Sequence, residues 1–245
     1  IYSKPFVLIS MKNKEVNQKM KINEELAELI GIILGDGHMH TKHNLFTIVG
    51  SLEDYYYYQD YVMPLFEKIS GKIPSIRKRN DRNAYYLMLT SKDLMSYLTN
   101  KIGMTRGSKI NASIPKIIFS NKKFARAFLR GIFDTDGCLK FSKQTKKINY
   151  YPRVQIALQK SHLATEIGTL LKLVGFSYGS WEDSRFNGAI YYNISGKKNT
   201  EKWIKEISPP NPVHISKFHF WKRFGYYIPK STLKSRLASL KTKTL

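Results

Sequence analysis

Two aspartates followed by glycine, Asp36-Gly37 and Asp136-Gly137, stand one hundred residues apart, and each closes a stretch that is apolar at helical spacing. In 24–37 the apolar positions are Leu26, Leu29, Ile30 and Ile33; in 124–137 they are Phe124, Phe128, Ile132 and Phe133. Another edge of each helix is nearly bare. Ala27, Gly31 and Gly35 recur every fourth residue, as do Ala127, Gly131 and Thr135. Bare edges let two backbones come closer than the usual interaxial distance of about 8–10 Å, so the two helices are expected to pack on each other lengthwise. That contact sets Asp36 beside Asp136 at the negative ends of both helix dipoles, where two carboxylates repel. A divalent cation reverses the balance, because hard cations such as Mg²⁺ take a few carboxylate oxygens and keep positions open for water and phosphate. Gly37 and Gly137 are expected to be left-handed helix caps. One Asp-Gly is a common turn; two at matched positions on matched helices point to a shared metal site.

The elements that must hold this site repeat. Helix, hairpin, helix, hairpin, helix occurs twice along the chain, which is the pattern of a duplication. Asn23 is a capping residue for the first helix, with Glu24 and Glu25 in its first turn. Two short strands follow in 38–50, with His38 and His40 on one face and Lys42 and His43 at the turn. Histidines spaced this way on a basic chain are read as facing phosphates rather than zinc. Stretch 51–70 carries Leu52, Tyr55, Tyr58, Val62, Phe66 and Ile69 at helical spacing, with a kink expected at Pro64 and two of the four tyrosines exposed. A hairpin at 73–91 turns at 80–83; Arg77, Arg79 and Arg82 point out and Ile76, Tyr86 and Met88 in. A helix at 92–102 ends the half.

The second half has a hairpin at 139–161 with a lysine-rich tip, Lys143, Lys146 and Lys147. Its alternation puts Lys140 and Ser142 on one face, with Arg153 and Gln155 on the return strand. After a helix at 163–174, the hairpin at 178–195 turns at Asn187-Gly188 and offers Trp181, Asp183, Arg185 and Asn193. A helix at 199–207 follows. Such two-stranded ribbons fit a DNA major groove.

Composition bounds the partner. With 245 residues and 42% hydrophobic content the chain can build real cores, and its net charge of +23 asks for a polyanion. Membrane is the rival polyanion, but no apolar run approaches the roughly 20 residues of a span, and the N-terminus lacks a signal-peptide core. A soluble, unexported protein of the cytoplasm, nucleoid, mitochondrion or chloroplast is expected. The single cysteine, Cys138, excludes an internal disulfide and a cysteine-built zinc finger, and is read as a small buried side chain.

The stretches LIGIILGDG (29–37) and LRGIFDTDG (129–137) resemble the double motif of the LAGLIDADG homing endonucleases in their single-chain, two-motif form. Both keep the third-position glycine, the apolar fourth and fifth positions and the terminal Asp-Gly. The first has Leu34 where the second keeps an acid, Asp134. The resemblance implies an α+β fold of tandem pseudo-symmetric αββαββα halves, with two antiparallel four-stranded saddle-shaped sheets and the motif helices packed at the centre. Its bounds on this chain would be an N-terminal arm at 1–21, halves at 22–118 and 124–230 joined by a linker at 119–123, and a loosely held basic tail at 231–245.

It further implies a monomeric double-strand DNA endonuclease of intron homing that leaves short 3′ overhangs, using Mg²⁺ or Mn²⁺, with Ca²⁺ occupying the site without cleavage. Asp36 and Asp136, with the carbonyls of Gly35 and Thr135, would hold the metals, and Lys109 and Lys217 match the family's lysines. Gln159 matches the polar residue at the edge of one site. Its counterpart in the first half falls near Gly50, which offers no side chain, so the sites are expected to be unequal. An intron maturase binding RNA on the same scaffold and a DNA-binding protein that no longer cuts are the alternatives. Neither end shows intein splicing residues, so a free-standing protein is expected.

Overall fold

Asn23 caps the first motif helix as its residue type implies: its Oδ1 accepts from the Leu26 amide at 2.8 Å, opening α1 (Glu24–Leu34). The computed structural model describes residues 20–186 and 188–242; most of the expected arm, Asn187 of the expected turn, and residues 243–245 lie outside the described residues. After α1 come β1 (Gly37–Met39) and β2 (Leu45–Ser51), a helical run ending in α2 (Met63–Ser70), then β3 (Ser75–Lys78), β4 (Ala84–Thr90) and α3 (Lys92–Asn100). The second half repeats the order: α4 (Lys122–Asp136), β5 (Gly137–Ser142), β6 (Tyr151–Leu158), α5 (His162–Leu173), β7 (Gly179–Asp183), β8 (Ala189–Ser195) and α6 (Lys197–Ile207). Each half folds one antiparallel four-stranded sheet, in the orders β1-β2-β4-β3 and β5-β6-β8-β7, so the tandem α+β architecture stands.

The seam between the halves is α1 against α4. A Cβ on Gly31 would lie 2.3 Å from the Phe128 carbonyl oxygen, and one on Gly131 would lie 2.3 Å from that of Glu28. Backbone touches backbone here, which only the bare edges allow. On the flanks Leu29, Ile30, Ile33, Phe128, Ile132 and Phe133 are fully buried and fuse the two cores into one. An ion pair with a buried carboxylate crosses the seam: Arg130 Nη1 donates to Glu28 Oε2 at 2.8 Å, and Arg130 Nε to the Ile207 carbonyl at 2.6 Å. Asp134, the acid that the first motif replaces by Leu34, is also buried, and burial pushes its carboxyl well above the usual range.

Four expectations change. Gly37 and Gly137 are not left-handed caps; Gly137 has φ −101° and neither has a positive φ. Their need for glycine is room, since a Cβ would lie 2.6 Å from Ile33 Cα in one and 2.4 Å from the Phe133 carbonyl oxygen in the other. Tyr86 and Met88 do not face the core: they pair across the ladder with Arg77 and Ser75, while Leu87 and Leu89 point inward. Strand alternation fixes the faces only up to inversion, and Leu87 and Leu89 make the drier set.

Tyrosines 55–58 leave Tyr56 as the exposed ring; Tyr57 and Tyr58 are buried and Tyr55 leans on Tyr85 with centroids 4.9 Å apart. The helix changes pitch to a π turn over Tyr58–Val62 just before Pro64. The basic tail, finally, is not loose. After α7 (Pro212–Phe224), residues 233–241 form α8 (Leu233–Lys241), which packs on α7 with Leu233 and Arg236 buried. Among the described residues no helix is long and apolar enough to cross a membrane.

Candidate metal centre and nucleic-acid face

At the upper end of the seam, α1 stops at Leu34 and Gly35 carries the chain into Asp36, while α4 runs through Asp136 itself. A Cβ on Gly35 would lie 2.0 Å from Thr135 Oγ1 and 3.0 Å from Asp136 Oδ2, so the two motif ends meet there. Burial, the Asp136 charge and the Asp54 charge push the Asp36 carboxyl up to about 7, against the pull of Lys109. Burial pushes Asp136 up to about 6, again opposed by Lys109. Lys109 Nζ donates to the Gly35 carbonyl, and burial lowers its ammonium's pKa although both acids raise it.

The donor set suits a hard cation. Asp36 and Asp136 have no hydrogen-bond donors to their carboxylates among the described residues, and the nearby carbonyls of Gly35 and Thr135 supply further oxygen. No group of three His, Cys, Asp or Glu side chains that could hold a metal occurs among those residues, so water and phosphate would complete the shell, as Mg²⁺ prefers. His38 and His40 lie edge to face with centroids 4.7 Å apart, and among the described residues no third His, Cys, Asp or Glu joins them into a zinc site.

This electrostatics makes a prediction. Both acids hold protons in the folded chain at pH values where the unfolded chain, titrating near about 4, has lost them. Their contribution to stability is therefore complete below about pH 4 and is lost as pH rises through about 6 and about 7. A cation on the ionised pair offsets that loss, so millimolar Mg²⁺ should raise the melting temperature at about pH 8 and not at about pH 5. His214, whose imidazole burial depresses to about 3, tilts stability the other way. Its slope cancels against an Asp36→Asn/Asp136→Asn double variant, in which the Mg²⁺ effect should vanish. An equal Mg²⁺ shift at both pH values, or in the double variant, would contradict the site.

The two sides are unequal. Asp136, Lys109, Gln159, Lys160 and Ser161 line one cleft of about 430 Å³ together with Gly35. On the other side Asp36 faces the charge of Asp54 and the buried Tyr58 hydroxyl. Gly37 pairs with Ile48 and Gly137 with Ile156, so the counterpart of Gln159 is Ser51 rather than Gly50. The Ser51 hydroxyl is engaged, donating to Asp54 Oδ2 at 2.7 Å. Gly50 has no space for a side chain, because a Cβ there would lie 1.9 Å from the Tyr58 hydroxyl. Lys217 sits on α7, near enough for its charge to bear on Cys138 and His214, and lines a separate cleft with Lys140. The lysine charge that bears on both acids is that of Lys109.

Each sheet turns one face to the core and leaves one open. On the first open face His38, Thr47, Met88 and Ser75 form one cross-strand row, and Val49, Tyr86 and Arg77 the next. His40 lines the same hollow, Lys42 is exposed at the turn, and Arg79 and Arg82 hold the far tip, where Arg79 forks onto Asp81 at 2.7 and 2.8 Å. On the second, Lys140, Arg153 and Ser195 form a row, as do Cys138, Gln155 and Asn193, with Ser142 at the end of β5. Gln155 Nε2 donates to Asn193 Oδ1 at 2.9 Å, and both are buried, so the two expected contacts spend this pair of groups on each other. Trp181 stacks on Tyr191 with centroids 5.0 Å apart. Asp183 accepts from Arg185, and Lys143, Lys146 and Lys147 occupy an exposed tip. Thr47, Val49, Tyr86, Met88 and Tyr191 belong to these faces but were not among the expected contacts; strand alternation from His38 or Trp181 reaches them once the register is known.

Residues 123–208 match the family model of the LAGLIDADG-like domain. Over 188 residues the chain is 28% identical to part of the glutamine–fructose-6-phosphate aminotransferase [isomerizing] of Methanocaldococcus jannaschii, covering 75% of this chain and 16% of that protein. Over 234 residues it is 24% identical to part of a DNA polymerase of Thermococcus hydrothermalis, covering 91% of this chain and 12% of that protein. The chain thus spans only a small part of the length of the curated relatives it matches. Among solved structures it is similar to I-DmoI in complex with DNA and Mn, with a TM-score of 0.52 and 19% identity, covering 75% of this chain and 96% of that one. A related structure names I-DmoI a homing endonuclease. Full-length DUF199/WhiA from Thermatoga maritima superposes with a TM-score of 0.55 at 15% identity, covering 96% of this chain and 67% of that one. At such identities the likeness establishes the fold.

Proposed function

We propose that this chain, a two-motif LAGLIDADG protein, is a site-specific endonuclease that cuts both strands of a long DNA target with a divalent metal, Mg²⁺ or Mn²⁺. The observation that carries the reading is the meeting of Asp36 and Asp136, two half-buried carboxylates without hydrogen-bond donors among the described residues, beside the Lys109 ammonium at the end of the seam. A fold does not by itself give a function, so the weight lies on this site. Metal held by Asp36, Asp136 and the Gly35 and Thr135 carbonyls would supply an ionised water and stabilise charge on the scissile phosphates. Lys109, which shares a cleft with Asp136 and Gln159, would orient water or offset that charge on the Asp136 side. Lys217 is its counterpart for the other strand, and the unequal surroundings favour one strand being cut first.

Both open faces carry cations at their tips and mixed polar and apolar side chains along their strands, which suits phosphate contacts outside and base edges within. Together they would cover roughly two turns of duplex, at about 34 Å per turn. A net charge of +23 supplies the long-range attraction. The matched segment forms a small share of an aminotransferase and of a DNA polymerase, while covering most of this chain. A unit shared by proteins of unrelated name behaves as an insert, as a homing element would.

Titrating intact duplex and folded intron RNA with the purified chain, with and without Mg²⁺, tests the reading against a maturase and a binding-only protein. The expected result is duplex binding with cleavage only in the metal. With about ten phosphates neutralised, the logarithm of the affinity should fall against the logarithm of salt with a slope of about −9. A slope near about −2 would contradict this footprint.

A further inference from the structure

Arg236 is 1% exposed, although it lies on a short helix near the end of the described chain. Its guanidinium is spent on three segments. Nε donates to Ser216 Oγ at 2.9 Å and Nη2 to the Val213 carbonyl at 3.4 Å, both on α7. Nη1 donates to the Ser231 carbonyl and reaches the Tyr227 hydroxyl at 3.5 Å, both in the connection to α8. Nη2 also lies 3.9 Å from Glu53 Oε2 of the first half, and Glu53 Oε1 accepts from the Leu233 amide at 2.7 Å.

Burying a guanidinium against mostly neutral acceptors is a poor way to glue a helix down, since an apolar side chain of similar size serves stability as well or better. What the charge adds is direction, because the planar fork fixes where each acceptor must stand. Ser216 immediately precedes Lys217, and Arg236 and Lys217 line the same cleft of about 540 Å³ with Lys140 and Glu53. The first half has no such device: Lys109 lies in a loop between α3 and α4 and is held by its own bond to the Gly35 carbonyl.

We propose that Arg236 is the positioning residue for Lys217, and that α8 thereby governs the cleavage of one DNA strand and not the other. This rests on the endonuclease reading above. The test uses the full chain on a selected target duplex, labelled on either strand and resolved on a denaturing gel in Mg²⁺. Three variants are compared with the wild type: Arg236→Met, which keeps the volume, Glu53→Gln, which leaves Arg236 in place, and Lys217→Met. Arg236→Met is expected to slow the strand that Lys217→Met slows by roughly a hundredfold, the cost of about 1 Å of misplacement. Glu53→Gln should slow the same strand less, and the other strand should keep its rate in all three. In hydrogen exchange, Arg236→Met should expose the amides of Ser216 and Lys217 and leave those around Lys109 unchanged. Equal slowing of both strands, or of neither, overturns the proposal. A wild type that cuts neither strand overturns the endonuclease reading and the strand assignment with it, while the exchange data still decide whether Arg236 holds Lys217.

Discussion

Asp136→Asn is expected to lower double-strand cleavage by about a thousandfold or more while leaving target affinity within about a factor of three, and Asp36→Asn should do the same. The substitution keeps the shape and removes the charge that a cation needs. Each acid sits where the seam forces it, and burial already holds it near neutrality at about 6 and about 7, so loss of one charge should not unfold the protein. Stability should rise slightly at alkaline pH, because the repulsion between the pair is gone. Cleavage rates on labelled duplex and affinities measured in Ca²⁺ check both halves of the expectation. Undiminished cutting by either variant would reject the assignment.

The second large effect concerns the seam itself. Gly131→Ala should cost about 2–3 kcal/mol of stability, more than an exposed glycine-to-alanine change ever would, and Gly31→Ala a similar amount. In each case the added methyl carbon would lie 2.3 Å from a backbone oxygen of the opposite helix, and backbone cannot swing aside as a side chain can. The helices must separate, and the two acids with them, so surviving folded protein should also cut slowly. Urea midpoints give the first quantity and cleavage of the folded fraction gives the second. An unchanged midpoint would mean that the helices do not meet along this edge.

What could be read from the sequence follows from where its information lies. The small-residue edges, the apolar stripes and the paired Asp-Gly ends are patterns within one helix, so spacing alone exposed them, and their repetition exposed the duplication. The inward set of β4 is not legible in the sequence, because Ala84-Tyr-Tyr-Leu-Met-Leu is apolar on both faces and only packing decides which is drier. Asp54 and Tyr58 could not be placed beside Asp36, since the segment that carries them passes from a 3₁₀ turn to a π turn and no single period describes it. Helix α7 was not among the expected elements, although it opens on Asn211-Pro212, a capping residue before a first-turn proline. Helix α8 also opens on a capping residue, Thr232, but its buried stripe contains an arginine, and a charge in a basic tail reads as solvated.

The account stands on two acids sharing metal beneath a duplex, and the most direct measurement is cleavage itself. A library of randomised duplexes would be incubated with the chain in Mg²⁺ and, separately, in EDTA, and the ends sequenced. The account predicts that one target is enriched, cut in both strands at positions a few nucleotides apart with 3′ overhangs, and uncut in EDTA. Ends of equal number in EDTA, or cutting by the Asp36→Asn/Asp136→Asn protein, would contradict it.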